Sequence, residues 1–255
     1  MLQRQAREGL LAEQICGKGP EGVIAQTNIQ LYNQLPRDGY RGPALAQIRR
    51  AYELALEIFA GRCQPSGKCF LSHVVGTASV LSSLGQSADV VAAGLLHNVY
   101  HNGDFGDGST GATPAKRIWV QRAVGPVTEE IVYRFAVKDW SHEALRAHGS
   151  NLEPLEDVDR QVLMVFLANE LERFADGGIF YQRDCAGRLR FVSQLREVSV
   201  RMAEALGVPQ LAEALRAAFR QATEREISSP VLRMARTTPG SYVCAPRSFR
   251  MGCRT

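Results

Sequence analysis

The stretch "FLSHVVGTASVLSSLGQSADVVAAGLLHN", residues 70–98, decides the fold. Its apolar residues form two runs without the strict alternation of a strand, which favours helices. Gly85 is a stop signal between the runs, and Ser87 is a candidate N-cap for the second run. The stretch therefore predicts two consecutive helices, and the short turn between them predicts that they lie antiparallel and adjacent.

Helical patterns occupy most of the remaining chain. The clearest lies in residues 44–61, where apolar residues recur at steps of three and four before Gly61. Further patterns predict helices in residues 25–40, 115–125, 126–140, 155–176, 187–207 and 209–225. Since no convincing alternating run predicts a strand, the sequence predicts an all-α protein.

The chain divides into three segments. Residues 1–43 are an N-terminal extension with one helix, residues 44–225 form the helical domain, and residues 226–255 are an Arg-rich C-terminal tail. From residue 228 onward the tail carries five arginines and no acid. Two interpretations stay open for it: a solvated segment packed along the body, or a basic arm near an anionic ligand.

The bulk composition excludes several classes of protein. With 255 residues and 45% hydrophobic content, the chain suits one large domain with extensions. No apolar run reaches the roughly 18 residues of a membrane span, and the start lacks the apolar core of a secretory signal. The six cysteines contain no C-x-x-C pair, which predicts thiols in a reducing cytoplasm. The net charge of +4 is too small to indicate nucleic acid.

Three histidines stand close together in the predicted helices. His97 and His101 are four residues apart, which places them on one face of a helix, and His73 lies on the preceding helix. The imidazoles of all three are therefore predicted to converge. A packed or surface position is the alternative for each of them.

At this point the sequence resembles a known family. Residues 51–99, "AYELALEIFAGRCQPSGKCFLSHVVGTASVLSSLGQSADVVAAGLLHNV", are similar to the opening of the HD hydrolase domain of RelA/SpoT-type alarmone, (p)ppGpp, hydrolases. "DRQVLMVFLANELERF", residues 159–174, resembles the family helix that ends in L-A-D-R-L. The resemblance runs in one order over roughly residues 45–220 and implies an HD-domain-like helical bundle. "AQTNIQLYNQL" and "GDFGDG" together resemble an uncharacterised bacterial subgroup.

The resemblance also implies a metal site, in which two of the family's ligands are changed. The family holds a metal, usually manganese, at the positions of His73, His97, Asn98 and Asn169, and two of its ligands there are aspartates. Both carboxylates are carboxamides in this chain. Hard divalent cations favour charged oxygen ligands, so two neutral amides are expected to weaken the site.

The substrate side departs from the family as well. Gln64 and Pro65 replace an Arg-Lys pair before the Ser66-Gly67 turn, and His101 and Asn102 replace a catalytic Glu-Asp pair. These changes argue against alarmone hydrolysis as it occurs in the family. Active metal-dependent phosphohydrolysis nevertheless stays open as an alternative.

Residues with other chemistry could replace the lost groups. His73, His97 and His101 could bind zinc or another borderline metal, with Asn98 or Asn169 hydrogen-bonded behind them. Alternatively, His101 and His97 could act without metal as acid or base, because an imidazole titrates near pH 6.5.

Three further residues complete the predicted site. Asp104 could reach the pocket mouth from "GDFGDG", although Asp104 and Asp107 are also typical of turns and helix caps. Ser66 and Arg173, together with Asn98 and Asn169, are candidates to bind substrate. For Arg173 the alternative is an ion pair with Glu170 or Asp176.

Three functions stay open at this stage. The first is an enzyme with a reorganised pocket that acts on a small anionic molecule or nucleotide, and the second is a pseudo-hydrolase that binds such a molecule without converting it. The third is a structural partner of another enzyme. The cofactor is either a divalent metal or absent. The apolar helices near the chain ends are compatible with a homodimer. The expected location is the cytoplasm, away from membranes.

Overall fold

The computed structural model describes residues 24–141, 143–146, 155–181, 185–224 and 242–243. Within these ranges the chain is an all-α helical bundle, as the sequence predicted. The helices are α1 (Asn28–Arg37), α2 (Gly42–Phe59), α3 (Phe70–Ser83), α4 (Ala88–Leu96), α5 (Val99–Asn102), α6 (Pro114–Val124), α7 (Pro126–Val137), α8 (Asp157–Ala175), α9 (Cys185–Ala205) and α10 (Pro209–Glu224), and a 3-10 turn spans Gly178–Tyr181. Two-residue strands, β1 (Arg62–Cys63) and β2 (Tyr242–Val243), pair antiparallel.

Local sequence signals set the helix starts near the site. The Ser87 side chain accepts a hydrogen bond from the Val90 backbone N–H, which confirms Ser87 as the N-cap of α4. Thr27 and Gln30 form a reciprocal capping box at the start of α1. These caps satisfy backbone donors that the first turn of each helix leaves unpaired.

One predicted helix is interrupted. The pattern in residues 87–103 predicted a single helix, but α4 ends at Leu96, and a turn at His97 and Asn98 precedes the short helix α5. Asn98 has φ −99° and ψ 2°, which lies outside the α-helical region. The break matters for the site, because residues on its two sides no longer share one helical face.

Helices α3 and α8 lie at the centre of the bundle and are buried around most of their circumference. Ten residues of α3 between His73 and Ser82 are buried, and α8 is buried from Val162 to Glu172. A helix that is buried on all sides belongs to the middle of a core. This central pair brings His73 on α3 next to Glu172 on α8.

The tail meets the body at one described place. β2 pairs with β1 in the register Arg62↔Val243 and Cys63↔Tyr242, directly before the loop that leads to α3. The other tail residues, and the arginines among them, lie outside the described part of the chain. None of the helices in the described ranges is long and apolar enough to cross a membrane.

Candidate functional site

Four side chains form a group that we call the histidine–asparagine cluster: the buried His73, His97 and Asn169, and the half-buried Asn98. The imidazole rings of His73 and His97 have centroids 5.2 Å apart. Asn98 Nδ2 lies 2.8 Å from His97 Nε2 and 3.4 Å from His73 Nε2. Asn169 Oδ1 lies 3.1 Å from His97 Nε2. The structure therefore brings together the four positions that the resemblance implied.

Both imidazoles have a fixed orientation. His97 Nδ1 lies 2.8 Å from the backbone oxygen of Gly94, so Nδ1 carries the proton and Nε2 presents a lone pair. Burial, with the nearby His73 as a second cause, lowers the pKa of His97 to about 3. His97 is therefore neutral at physiological pH. His73 Nδ1 hydrogen-bonds the carboxylate of Glu172, which turns its Nε2 toward Asn98.

Asn98 satisfies both imidazoles through its amide nitrogen. A carboxamide NH₂ has two donor hydrogens, and both Nε2 atoms lie within hydrogen-bond distance of it. An aspartate at this position would direct only acceptor oxygens at the same two atoms. The change from acid to amide therefore places a donor group, instead of a second acceptor oxygen, beside both Nε2 atoms.

Asn169 leaves one mismatch in the cluster. Its Nδ2 donates to Glu170 Oε1 at 3.0 Å, so its Oδ1 faces His97 Nε2. Both of these atoms are acceptors when His97 is neutral. A cation, or a donor group of a ligand, would remove this conflict, which makes the mismatch the feature of the cluster that points to a bound group.

A row of charged side chains lies behind His73. The ammonium of Lys68 contacts Glu172, and it lies 2.6 Å from Asp176 Oδ2. Burial alone would raise the pKa of Glu172, but His73 and Lys68 outweigh it and hold that pKa below its ordinary value of 4.5. Glu172 is therefore ionised, although its side chain is only 1% exposed.

Gly76 provides the space that Glu172 occupies. A Cβ at position 76 would lie 2.6 Å from Glu172 Cγ and 2.8 Å from its Oε1. Two weak signals for this contact are present in the sequence, because Gly76 is three residues after His73 and Glu172 is three residues after Asn169. Sequence reasoning missed both Lys68 and Glu172 as residues of the site.

His101 does not join the cluster. Its ring is exposed, and Nε2 lies 2.8 Å from the backbone oxygen of Ala136 on α7. The predicted spacing of four residues from His97 assumed an unbroken helix, and the turn at His97 and Asn98 removes that relation. The three-histidine metal site is therefore not assembled. Among the described residues, no group of three or more His, Cys, Asp and Glu side chains could hold a metal.

Asp104 and Asp107 form turns. Asp104 Oδ1 accepts from the Gly106 N–H at 2.9 Å, and its other oxygen lies 3.9 Å from Arg62 Nη2. Asp107 accepts from the backbone and hydroxyl of Ser109, and those bonds lower its pKa to about 2. The turn interpretation therefore describes both residues, and the catalytic role of Asp104 stays a prediction.

Ser66 and Arg173 lie at the edge of the charged row. Ser66 Oγ accepts from the Lys68 N–H at 3.4 Å within the loop before α3. Arg173 Nη1 lies 3.3 Å from Glu170 Oε1, which is the ion pair that the sequence left open. Because Glu170 also accepts from Asn169, Arg173 connects to the cluster through Glu170.

The fold and the cluster define an all-α bundle with a buried histidine–asparagine site, and two comparisons extend this description. Residues 55–140 match a family model described as Domain of unknown function (DUF6817). A segment of 62 residues is 32% identical to a protein of Streptomyces coelicolor (strain ATCC BAA-471 / A3(2) / M145) named GTP pyrophosphokinase. The matched segment covers 24% of this chain and 7% of that protein, so the likeness concerns a small part of the relative.

Proposed function

We propose that this chain is a diverged HD-type helical domain that binds a divalent metal ion between His73 and His97, and a small anionic molecule at that ion. The observation that carries the proposal is the pair of buried Nε2 atoms that face each other across Asn98. His101, which the sequence included among the ligands, has no part in this version of the site.

The two imidazoles have the hydrogen bonds that metal-ligating histidines have in proteins. Such a histidine donates its other N–H to a carboxylate or a backbone carbonyl. Here the carboxylate of Glu172 serves His73, and the carbonyl of Gly94 serves His97. The lowered pKa of His97 supports the same role, because a metal ligand must be unprotonated.

The donor set favours an ion that prefers nitrogen. Imidazole suits zinc, copper and nickel, whereas magnesium and manganese prefer carboxylates and other oxygen ligands. The amide oxygen of Asn169 already faces His97 Nε2, and that of Asn98 would join the set once its amide turns over, since its nitrogen now faces both rings. Bound there, the ion would polarise an anionic oxygen of the ligand as a Lewis acid.

Residues around the proposed ion orient its ligands. Glu172 contacts His73 Nδ1 and so orients the ring with Nε2 toward the proposed ion. The sequence assigned acid–base chemistry to His101, which is exposed and bonded to the Ala136 carbonyl. The resemblance to alarmone hydrolases, and the segment shared with the protein named GTP pyrophosphokinase, favour a nucleotide as the anionic molecule.

A second function has its own support: a metal-free binding module that has lost catalysis. The amide nitrogen of Asn98 satisfies both imidazoles, so the cluster needs no cation to fill that place. In this case the ligand would supply the missing donor between His97 and Asn169.

The substitution Asn98→Asp separates the two functions. If a metal binds, the added negative charge strengthens Zn²⁺ uptake, measured by equilibrium dialysis and elemental analysis. If the cluster is metal-free, the same change sets a carboxylate against two lone pairs, lowers the melting temperature and leaves the protein without zinc. His73→Ala should abolish uptake, whereas His101→Ala should preserve it. Failure of the wild-type chain to bind Zn²⁺ would contradict the metal-binding proposal.

The anionic ligand has a separate test. Thermal denaturation with GDP, GTP or inorganic phosphate, each with and without Zn²⁺, should reveal a rise in melting temperature, because a ligand that binds only the folded state stabilises it. A rise that requires zinc and disappears in His73→Ala supports the proposed site. A rise without zinc supports the binding module, and no rise with any of the three probes contradicts an anionic ligand of this class.

A further inference from the structure

We propose that Cys63 and Cys69 are an oxidation site, at which a peroxide converts the two thiols into a disulfide across the loop that carries Lys68. Neither cysteine has a role in the proposed function, and the inference does not depend on it. The sequence showed only that the chain has no C-x-x-C pair. The structure adds that these two residues, six positions apart, are partners in an antiparallel bridge.

A bridge of this type has a Cα separation that a disulfide can span. Inside it, the Gln64 N–H donates to the Lys68 carbonyl at 2.8 Å. Hydrogen-bonded and non-hydrogen-bonded pairs alternate along an antiparallel ladder, so Cys63 and Cys69 occupy the non-hydrogen-bonded position, where Cα atoms lie about 4.5 Å apart. Disulfides span Cα separations of roughly 4.4–6.8 Å. Paired residues also direct their side chains to the same face of the ladder.

The two thiols differ in exposure in a way that suits stepwise oxidation. Both are unoxidised in the structure; Cys69 is exposed and Cys63 is buried. Cys69 is therefore the thiol that meets a small oxidant in solution, and Cys63 is the thiol held next to it. Such an arrangement of an accessible and a neighbouring cysteine is typical of reversible oxidation sites.

The chemistry balances with hydrogen peroxide as the oxidant. The Cys69 thiolate attacks one peroxide oxygen, the O–O bond breaks, and Cys69 becomes a sulfenic acid while the released hydroxide takes up a proton. The Cys63 sulfur then attacks the Cys69 sulfur, the S–O bond breaks, and the oxygen leaves as water with the Cys63 proton. Two thiols lose two electrons and two protons, and one peroxide is reduced to two waters.

The cross-link would close the loop between Cys63 and Cys69, directly before α3, into a ring. The loop between the cysteines turns at Gly67, whose φ is +91°, and Lys68 extends from it to Glu172 and Asp176. β2 pairs with Cys63 on the other side, through Tyr242. Oxidation would therefore restrict the loop that holds Lys68 beside the charged row.

Trypsin gives a direct test, because it cuts after Arg62, Lys68 and Lys116 and so separates the two cysteines. The full chain is treated with a small excess of hydrogen peroxide, blocked with N-ethylmaleimide, digested and analysed by mass spectrometry without reduction. We expect peptides 63–68 and 69–116 joined as one species that is lighter by two hydrogens than their sum and that separates on reduction.

Matched variants define the outcomes. Cys63→Ser and Cys69→Ser should each abolish the joined species, and Cys185→Ser, which removes a cysteine on α9, should leave its yield unchanged. In the oxidised wild type, hydrogen exchange at the Gln64 amide should slow relative to the reduced protein. Overoxidation of Cys69 without a cross-link, a link from either cysteine to a different one, or a link between two chains would overturn the proposal; the wild-type peptide map alone decides this, even if a variant fails to fold.

Discussion

Asn98 has an NH₂ group where an aspartate would have a second oxygen, and this group faces the Nε2 atoms of His73 and His97. The resemblance predicted that Asn98 and Asn169 would accompany His73 and His97, and the hydrogen bonds of the structure place them together. The sequence did not predict which atoms would meet. That the amide nitrogen faces both Nε2 atoms depends on the orientation of the two rings, which the contacts with Glu172 and Gly94 set.

The charged residues behind the cluster were beyond sequence reasoning for a different reason. Lys and Glu are rarely buried, so a single sequence places them on the surface by default. Glu172 is buried and Lys68 half-buried because each compensates the charge of the other, and His73 adds a hydrogen bond to Glu172. Such a pairing joins residues that are 104 positions apart, and local pattern does not reveal it.

Glu172→Gln tests this pairing. The amide removes the charge that faces Lys68 and weakens the bond from His73, so we expect the free energy of unfolding to fall by about 2 kcal/mol at pH 7. Urea denaturation of wild type and variant measures this difference in the free energy of unfolding. Because the pKa of Glu172 is lowered by folding, its stabilisation is complete above pH 4.5 and is lost as the pH falls through the folded-state pKa. The difference between wild type and variant should therefore narrow in acid.

Glu53→Gln is the matched control for that prediction. Glu53 pairs with Arg49 one helical turn away, and its side chain is 53% exposed. An exposed pair contributes little, so the control should change stability by at most about 0.5 kcal/mol. Equal losses in the two variants would show that burial adds nothing to the Glu172 pairing.

At the scale of helices, spacing rules hold only within an unbroken element. The order and extent of the long helices followed from apolar periodicity and from Gly and Ser signals. The break after Leu96 did not, because His97 and Asn98 continue a pattern that suits a helix. His97 Nδ1 contacts the Gly94 carbonyl, and Asn98 has a non-helical backbone. Both features belong to the folded site, and the apolar pattern does not show them. The error in placing His101 followed from this break.

Gly76→Ala tests how closely α3 and α8 approach each other. The new Cβ would lie 2.6 Å from Glu172 Cγ, and Glu172 cannot easily move because Lys68 and His73 both hold it. We expect a loss of about 2–3 kcal/mol in the free energy of unfolding, larger than the gain in helix propensity of about 1 kcal/mol. Urea denaturation with circular dichroism detection measures the difference.

Gly94→Ala provides a comparison within the same core. Its Cβ would also lie 2.6 Å from a neighbour, but that atom is Cδ1 at the end of the Leu81 side chain. An apolar end group can repack, so this variant should lose clearly less stability than Gly76→Ala. The opposite order would argue that Glu172 has room to move, and that the charged row is looser than its contacts indicate.

For the whole molecule, the sequence predicted the class and the succession of helices, since the apolar pattern of a large core is distributed along the chain. It did not predict the pairing of β1 with β2. Strands of two residues have no alternation to detect, and their partners are separated by most of the chain. The networks that connect helices were equally hidden, because they join polar residues whose burial only the assembled core creates.

One such network tests the cooperativity of the bundle. Arg117 on α6 makes two hydrogen bonds to buried Glu129 on α7, of 2.8 and 2.7 Å, and lies 3.6 Å above the Tyr133 ring. Glu129 also accepts from the Tyr100 hydroxyl on α5 at 2.8 Å. Lysine cannot form the paired bonds or stack on the ring, so Arg117→Lys should reduce the free energy of unfolding by about 2 kcal/mol.

The two tryptophans, Trp119 and Trp140, allow this loss to be assigned to the whole fold. If the network stabilises one cooperative unit, urea transitions followed by tryptophan fluorescence and by circular dichroism shift together to lower urea. An early fluorescence transition would show instead that α5, α6 and α7 unfold on their own. Arg216→Lys is the control, because Arg216 pairs with Glu204 and Glu213 on the surface, and the change there should stay within about 0.5 kcal/mol. A loss of the same size at both arginines would mean that the buried Glu129 gives Arg117 no advantage over an exposed ion pair.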